Sequence, residues 1–173
     1  MRILVIGGSG AGKSTLGRVL AQRLGVPFVE LDALHHGPNW KAATAEELTA
    51  RVHAAIDGAS GWIVDGHYGN KLGTLLLDRA ELIVWLDLPL YTKLNRLTRR
   101  TARRWFRNEV LWNGNRETLK DAFWGADALF PWAIRGHFRQ RRLLPEQLAG
   151  RSFVRLRTAR EADTWLAEFR SNR

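Results

Sequence analysis

No cysteine occurs among the 173 residues. That absence excludes disulfides and thiolate metal sites, and it fits a reducing compartment. No apolar run approaches the ~20 residues that span a bilayer. No charged-then-apolar leader precedes the first strand-like run, so a cytoplasmic protein with neither signal peptide nor membrane partner is the expectation. Internal repeats, low-complexity tracts and linker-like stretches are missing too, so a single domain over 1–173 is expected, large enough to bury most of its unfolded surface. Acid is scarce where base is dense. Between Lys93 and Arg142 stand Lys93, Arg96, Arg99, Arg100, Arg103, Arg104, Arg107, Arg116, Lys120, Arg135, Arg139, Arg141 and Arg142, opposed only by Glu109, Glu117, Asp121 and Asp127. The net charge of +10 is concentrated there. A nucleic-acid partner would account for it, and so would the handling of polyanionic nucleotides.

What is present begins with Gly7-Gly8-Ser9-Gly10-Ala11-Gly12-Lys13-Ser14, between the apolar run Ile3-Leu4-Val5-Ile6 and the helical pattern that starts with Thr15-Leu16. Strand, glycine loop, helix with G-x-x-x-x-G-K-S spacing is the full phosphate-loop pattern. Glycines let the backbone curl so that successive N–H groups face an anion. The helix that follows adds the positive end of its dipole. Lys13 reaches the β- and γ-phosphates as a mobile point charge, and the Ser14 hydroxyl suits Mg²⁺. Gly8, Ser9, Gly10, Ala11, Gly12, Lys13, Ser14 and Thr15 are therefore the candidate nucleotide-binding residues. The bland alternative is a flexible glycine turn.

Further along, residues 2–6 read as a buried strand and 13–24 as a helix closed by Gly25 and Pro27. Phe28 to Leu31 reads as a second strand ending at Asp32. Residues 32–40 have no period and read as a loop with an acid, two histidines and Trp40. Adjacent His35 and His36 point to a metal only weakly. Thr44-Ala45-Glu46-Glu47 is a capping box that opens a helix to about Ile56. Trp62-Ile63-Val64 is a third strand ending at Asp65, followed by a turn-rich loop and a short helix over 72–77. Leu82 to Leu86 is the most apolar strand. Strands that alternate with helices and are apolar throughout predict a parallel sheet covered on both faces. Leu90, Leu94 and Leu97 mark one face of a long helix whose other faces carry arginine. Asn113-Gly114 interrupts it. Leu119, Phe123, Phe130, Ile134 and Phe138 then recur at helical spacing as a buried stripe, which Pro131 is expected to divide. A last strand over 153–156 and a helix capped by Thr158 complete the order. The block near 93–143 reads as an insertion between the fourth and fifth strands.

In open α/β sheets ligands sit outside the carboxyl ends of the strands. Asp32, Asp65 and Asp87 fall at such ends. Asp65 is assigned to the magnesium shell with Ser14, and Asp32 to the acceptor, where it orients or deprotonates a hydroxyl. Asp87 is either a participant or a cap of the following helix. Phosphoryl transfer spreads charge over the moving group, and arginine neutralises it well. Arg96 and Arg100 lie four apart, on one helix face. A solvated basic face is the plain reading of these arginines. The interleaved aromatics of the segment read either as base-stacking platforms or, preferably, as the packing of a helical lid.

These residues resemble the P-loop kinases related to adenylate kinase, and among them the small topology modulation proteins. The resemblance rests on Gly7 to Ser14, Leu31-Asp32-Ala33-Leu34 with the Trp40 loop, Asp65-Gly66-His67-Tyr68, Trp85 to Pro89, the arginine helix, and Asn113-Gly114-Asn115-Arg116-Glu117. It implies a three-layer α/β/α fold with a five-stranded parallel sheet, a lid between strands four and five, and Mg-ATP as phosphoryl donor. Asp65-Gly66 match the Asp-Gly of adenylate kinases, and Arg96 and Arg100 match their arginine pair after Asp-x-Pro. Tyr68 and Gly69 stand where those enzymes carry Pro-Arg, so the acceptor-phosphate arginine is missing. The topology label implies an effect on DNA without itself implying DNA contact. The leading expectation is an ATP-dependent phosphotransferase with a small-molecule acceptor, monomeric or homodimeric, whose catalytic residues are Lys13, Asp32, Asp65, Arg96 and Arg100. A nucleotide-gated nucleic-acid-binding protein and a weak ATPase without acceptor are the alternatives.

Overall fold

The structure, a computed structural model, describes residues 1–115 and 128–169. Five strands, β1 (Arg2–Gly7), β2 (Phe28–Glu30), β3 (Trp62–Asp65), β4 (Leu82–Leu86) and β5 (Phe153–Leu156), form one sheet in the order β2-β3-β1-β4-β5. Every pairing is parallel. Because β1 is central, its exit lies between the exits of β3 and β4. Val5 is opposite Asp65 and Gly7 is opposite Leu86. The loop after Gly7 thus begins beside the acids that end the two flanking strands.

Both sheet faces are buried, which is why the strands are apolar without alternation. Leu4, Ile6, Val64, Ile83 and Trp85 face one cluster, shared with Leu48, Val52 and Ile56 of α3 (Ala45–Ile56) and with Leu144 and Leu148. Ile3, Val5, Ile63, Val84 and Leu86 face the other, shared with Leu16, Leu20 and Ala21 of α1 (Lys13–Leu24). Trp165 and Leu166 of the last helix, Ala159–Glu168, pack against that side. The result is the expected three-layer α/β/α architecture with a five-stranded parallel sheet.

Four local expectations change. Residues 31–40 are not irregular: Leu31–His35 forms the one-turn helix α2, and Pro38–Trp40 a 3-10 turn. The single helix expected over 72–77 is two, α4 (Gly69–Leu72) and α5 (Leu75–Arg79), because Gly73 breaks it with φ +54°. Between β4 and β5 lie α6 (Leu90–Phe106), a 3-10 turn over Trp112–Gly114, and α7 (Leu129–Gln147). Pro131 sits in the first turn of α7, where its missing N–H forfeits no intrahelical bond, so it divides nothing. The stripe through Ile134 and Phe138 is not buried: these side chains are 37% and 61% exposed, and α7 turns Ala133, His137 and Leu144 inward instead. Leu119, Phe123, Arg116 and Lys120 lie outside the described residues. The last helix is α8.

Candidate functional site

The glycine loop is shaped by its neighbours as much as by its sequence. Gly10 and Gly12 have φ of +78° and +98°, a region that side chains rarely adopt. A Cβ on Gly10 would also strike the carbonyl of Lys93. Gly12 is the left-handed residue from which α1 starts, so the free N–H groups of the first turn face the loop's interior. Arg96 closes the other side: its Nη1 donates to the Ala11 carbonyl at 3.2 Å. Arg100, one turn further along α6, is half-buried.

Lys13, Ser14 and Asp65 converge. Asp65 ends β3 and is 4% exposed. The Ser14 hydroxyl donates to its Oδ2 at 2.5 Å, and Lys13 Nζ stands 3.5 Å from its Oδ1. Burial pushes the Asp65 carboxyl above the usual carboxylate range, while Lys13 and the Ser14 bond pull it back. A hydroxyl and a carboxylate side by side at a phosphate loop are the oxygen donors Mg²⁺ takes when phosphates and waters complete its shell. Among the described residues no group of three His, Cys, Asp or Glu forms a dedicated metal cage. The donor set therefore fits a cation that arrives with its nucleotide.

The second sequence-predicted acid, Asp32, lies in the first turn of α2. The Tyr68 hydroxyl donates to its Oδ1 at 2.7 Å. Tyr68 holds a left-handed φ of +47°, which swings its ring back over α2. Burial and Asp32 push the Tyr68 phenol well above its ordinary range, so it remains a donor. His35 and Tyr68 rings meet at 4.7 Å, and His36 contacts Trp40 at 5.3 Å and Trp112 at 6.4 Å. Burial first, then Lys71, lowers the proton affinity of His35 to a pKa of about 4. His36 is lowered mainly by burial. Both Nδ1 atoms are buried without a hydrogen-bond partner among the described residues. Neutral imidazoles with a free ring nitrogen are suited to a polar, hydroxyl-bearing ligand.

Residues 112–115, to which the sequence alone assigns no role, hold this wall in place. Asn115 Nδ2 donates to the Gly37 carbonyl at 2.9 Å, and its Oδ1 accepts from the Trp40 amide at 3.0 Å. Asn113 Nδ2 donates to the His36 carbonyl at 2.5 Å. Trp112 Nε1 reaches Glu30 at 3.4 Å, and Glu30 also pairs with Arg18 at 3.0 Å. The one local signal was Asn113-Gly114, a turn pair that takes φ of +55° and +79°.

Asp87 is not in this cluster and caps no helix. It is 2% exposed and accepts from Arg141 at 2.7 Å and from Arg155 at 2.6 and 3.0 Å. Arg155 in turn lies 4.1 Å over the Trp85 ring. These two arginines are thereby paired with a buried carboxylate.

A family model described as an AAA domain matches residues 3–111. The shikimate kinase of Sulfurihydrogenibium sp. (strain YO3AOP1) is 33% identical over 108 residues, which are 55% of this chain and 65% of that protein. The chain thus spans less than two thirds of that curated relative, and 60% of a similar shikimate kinase from Gloeobacter violaceus. Among solved structures, shikimate kinase from Acinetobacter baumannii in complex with shikimate matches with a TM-score of 0.57 at 18% identity, over 94% of this chain and 87% of that one. Deoxyadenosine kinase from M. mycoides with bound dATP matches with a TM-score of 0.59 at 11% identity, over 96% of each chain. At such identities the structural likeness is one of fold.

Proposed function

The chain belongs to the AAA domain family, and we propose that it works there as an ATP-dependent phosphotransferase with a small hydroxyl-bearing acceptor. The observation that carries this reading is the convergence of Lys13 and Ser14 on buried Asp65 at the end of the glycine loop. The loop's amides and Lys13 would bind the triphosphate, and Ser14 with Asp65 would hold Mg²⁺. When bound, Mg²⁺ supplies charge neutralisation at the phosphates. Relatives and structural neighbours that are shikimate and deoxyadenosine kinases support a small-molecule acceptor.

The acceptor would lie between Asp32, His35, His36 and Tyr68. Its hydroxyl oxygen bonds to the γ-phosphorus, the bond from that phosphorus to the β–γ bridging oxygen breaks, and the hydroxyl proton passes to Asp32. Tyr68, donating to Asp32, fixes which carboxylate oxygen is free to act as base. Arg96 and Arg100 would face the charge spread over the transferring group. The segment between β4 and β5 would serve as the lid that excludes water, without which ATP would be hydrolysed. The finer resemblance to topology modulation proteins rests on the motifs quoted above. The pairing of Arg141 and Arg155 with buried Asp87, and of Arg96 with the loop carbonyl of Ala11, engages these cations within the protein and supports small-molecule over nucleic-acid use of them.

The test is Lys13→Ala against the unaltered protein, by Mg-ATP binding and by ADP formation. The reading expects both to collapse in the variant; equal behaviour of the two proteins would end it.

A further inference from the structure

One buried pair behind the glycine loop has no part in the reaction above. Lys93, in the first turns of α6, is 3% exposed, and His137, on the inward face of α7, is also 3% exposed. Lys93 Nζ lies 2.6 Å from His137 Nδ1. The same Nζ would stand 3.2 Å from a Cβ built on Gly8, and the Gln140 amide oxygen 3.7 Å from it. The Lys93 carbonyl closes on Gly10, as noted. Lys93 therefore touches the loop at two of its glycines while its ammonium reaches 44 residues ahead to α7.

A lysine seldom stays in such a place without a partner, because burying an unpaired cation is costly. Here the neutral imidazole supplies one. The pair links the glycine loop, α6 and α7 at one buried point. We propose that Lys93 and His137 are positioning residues for the nucleotide: their hydrogen bond seats Gly8 to Gly10 against α6 and α7 and so fixes the amides that receive the phosphates. The proposal rests on the nucleotide-binding reading of the loop.

Its pH dependence has a definite sign. The charged groups facing the pair are Arg141 of α7, Asp87 beyond β4, and Lys13 of α1. Burial lowers the His137 imidazole, with Lys93 and Arg141 adding to the effect and Asp87 opposing it. Burial also lowers the Lys93 ammonium, to a pKa of about 8. At neutral pH Lys93 is the donor and His137 the acceptor. Protonation of Nδ1 replaces that acceptor with a second donor facing an ammonium. Nucleotide affinity should then fall as pH drops through the lowered pKa of His137.

The experiment is calorimetric titration with Mg-ATP between pH 5 and 8, on the unaltered protein, Lys93→Met, His137→Leu and His137→Asn, each checked for folding by circular dichroism. Lys93→Met and His137→Leu should bind about tenfold more weakly at neutral pH, the scale of one hydrogen bond to a charged group. His137→Asn offers a carbonyl oxygen near the place of Nδ1. It should bind within about threefold of the unaltered protein and lose less affinity than the unaltered protein as pH falls. A folded Lys93→Met with unaltered affinity and an unaltered pH profile overturns the proposal. If Lys93→Met does not fold, the His137 pair decides: weak binding by Leu with rescue by Asn supports it, and any other pattern overturns it. Failure of the unaltered protein to bind Mg-ATP overturns the nucleotide reading and this proposal together, whereas normal binding by every variant overturns this proposal alone.

Discussion

The Ser14 hydroxyl donates to Oδ2 of Asp65 across 2.5 Å, joining the first turn of α1 to the end of β3. The two residues are 51 apart in sequence. They meet because β1 pairs with β3 in a register that sets Val5 opposite Asp65. The site is thus a consequence of strand order, and its chemistry can be separated from the packing around it.

Asp65→Asn keeps the size of the side chain and removes its charge. The glycine-loop amides and Lys13 remain, so ATP affinity without Mg²⁺ should change little, whereas a higher Mg²⁺ concentration should be needed. Turnover at saturating Mg²⁺ should fall by about 100-fold or more, the scale of losing one electrostatic contributor to a transition state. ADP formation measured across a Mg²⁺ titration checks this.

Asp87→Asn should behave in the opposite way. It leaves Arg141 and Arg155 without their carboxylate, and breaking a buried ion pair costs about 3–5 kcal/mol. The arginine side chains are 43% and 30% exposed, so a loss near the lower end, about 3 kcal/mol, is expected. Chemical denaturation measures it, and the Mg²⁺ dependence of turnover should be unchanged.

Asn115→Leu removes two hydrogen bonds to the α2 wall, one to the Gly37 carbonyl and one from the Trp40 amide. A stability loss of about 2 kcal/mol follows from about 1 kcal/mol per bond. Trp40 and Trp112 both pack on His36, so the tryptophan emission should shift as the wall loosens. Asn115→Asp keeps the bond from Trp40 and should fall between the two.

His35 makes stability depend on acid. Its folded pKa is about 4, against an ordinary value of 6.5, chiefly because it is buried. A group whose pKa is depressed by folding contributes stability that is complete above 6.5 and is lost as pH falls through about 4. Melting temperature should therefore drop between pH 6.5 and 4 more steeply in the unaltered protein than in His35→Gln.

Much of the frame was legible in the sequence, for local reasons. Ile3 to Ile6, Trp62 to Val64 and Leu82 to Leu86 are apolar on both faces, and their alternation with helical segments makes covered parallel strands the reading. Thr44 and Glu47 do form the reciprocal capping box their spacing predicts. What escaped was decided at a distance. Asp87 sits at a strand end like Asp65, but its partners are 54 and 68 residues away, and nothing near Asp87 announces them. Ile134 and Phe138 have helical spacing, yet a period of 3.6 names a face without saying which way it turns. In α7 the inward face carries Ala133, His137 and Leu144, with His137 complementing the lysine on α6, and Ile134 and Phe138 turn outward. Lys93 is one charge of the basic segment in the sequence, and its burial depends on His137, 44 residues away. The short helix at Leu31–His35 was missed because five residues give too few repeats for a period to register.

Phosphoryl transfer itself is tested most directly by measuring ADP formation from Mg-ATP by the unaltered protein and by Lys13→Ala, alone and with each of a panel of hydroxylated small molecules. The account predicts slow ADP formation without acceptor. It predicts a large stimulation by at least one panel member, with one phosphorylated product formed per ADP, and neither with Lys13→Ala. ADP formation that no hydroxyl compound stimulates, or that proceeds equally in Lys13→Ala, would contradict it.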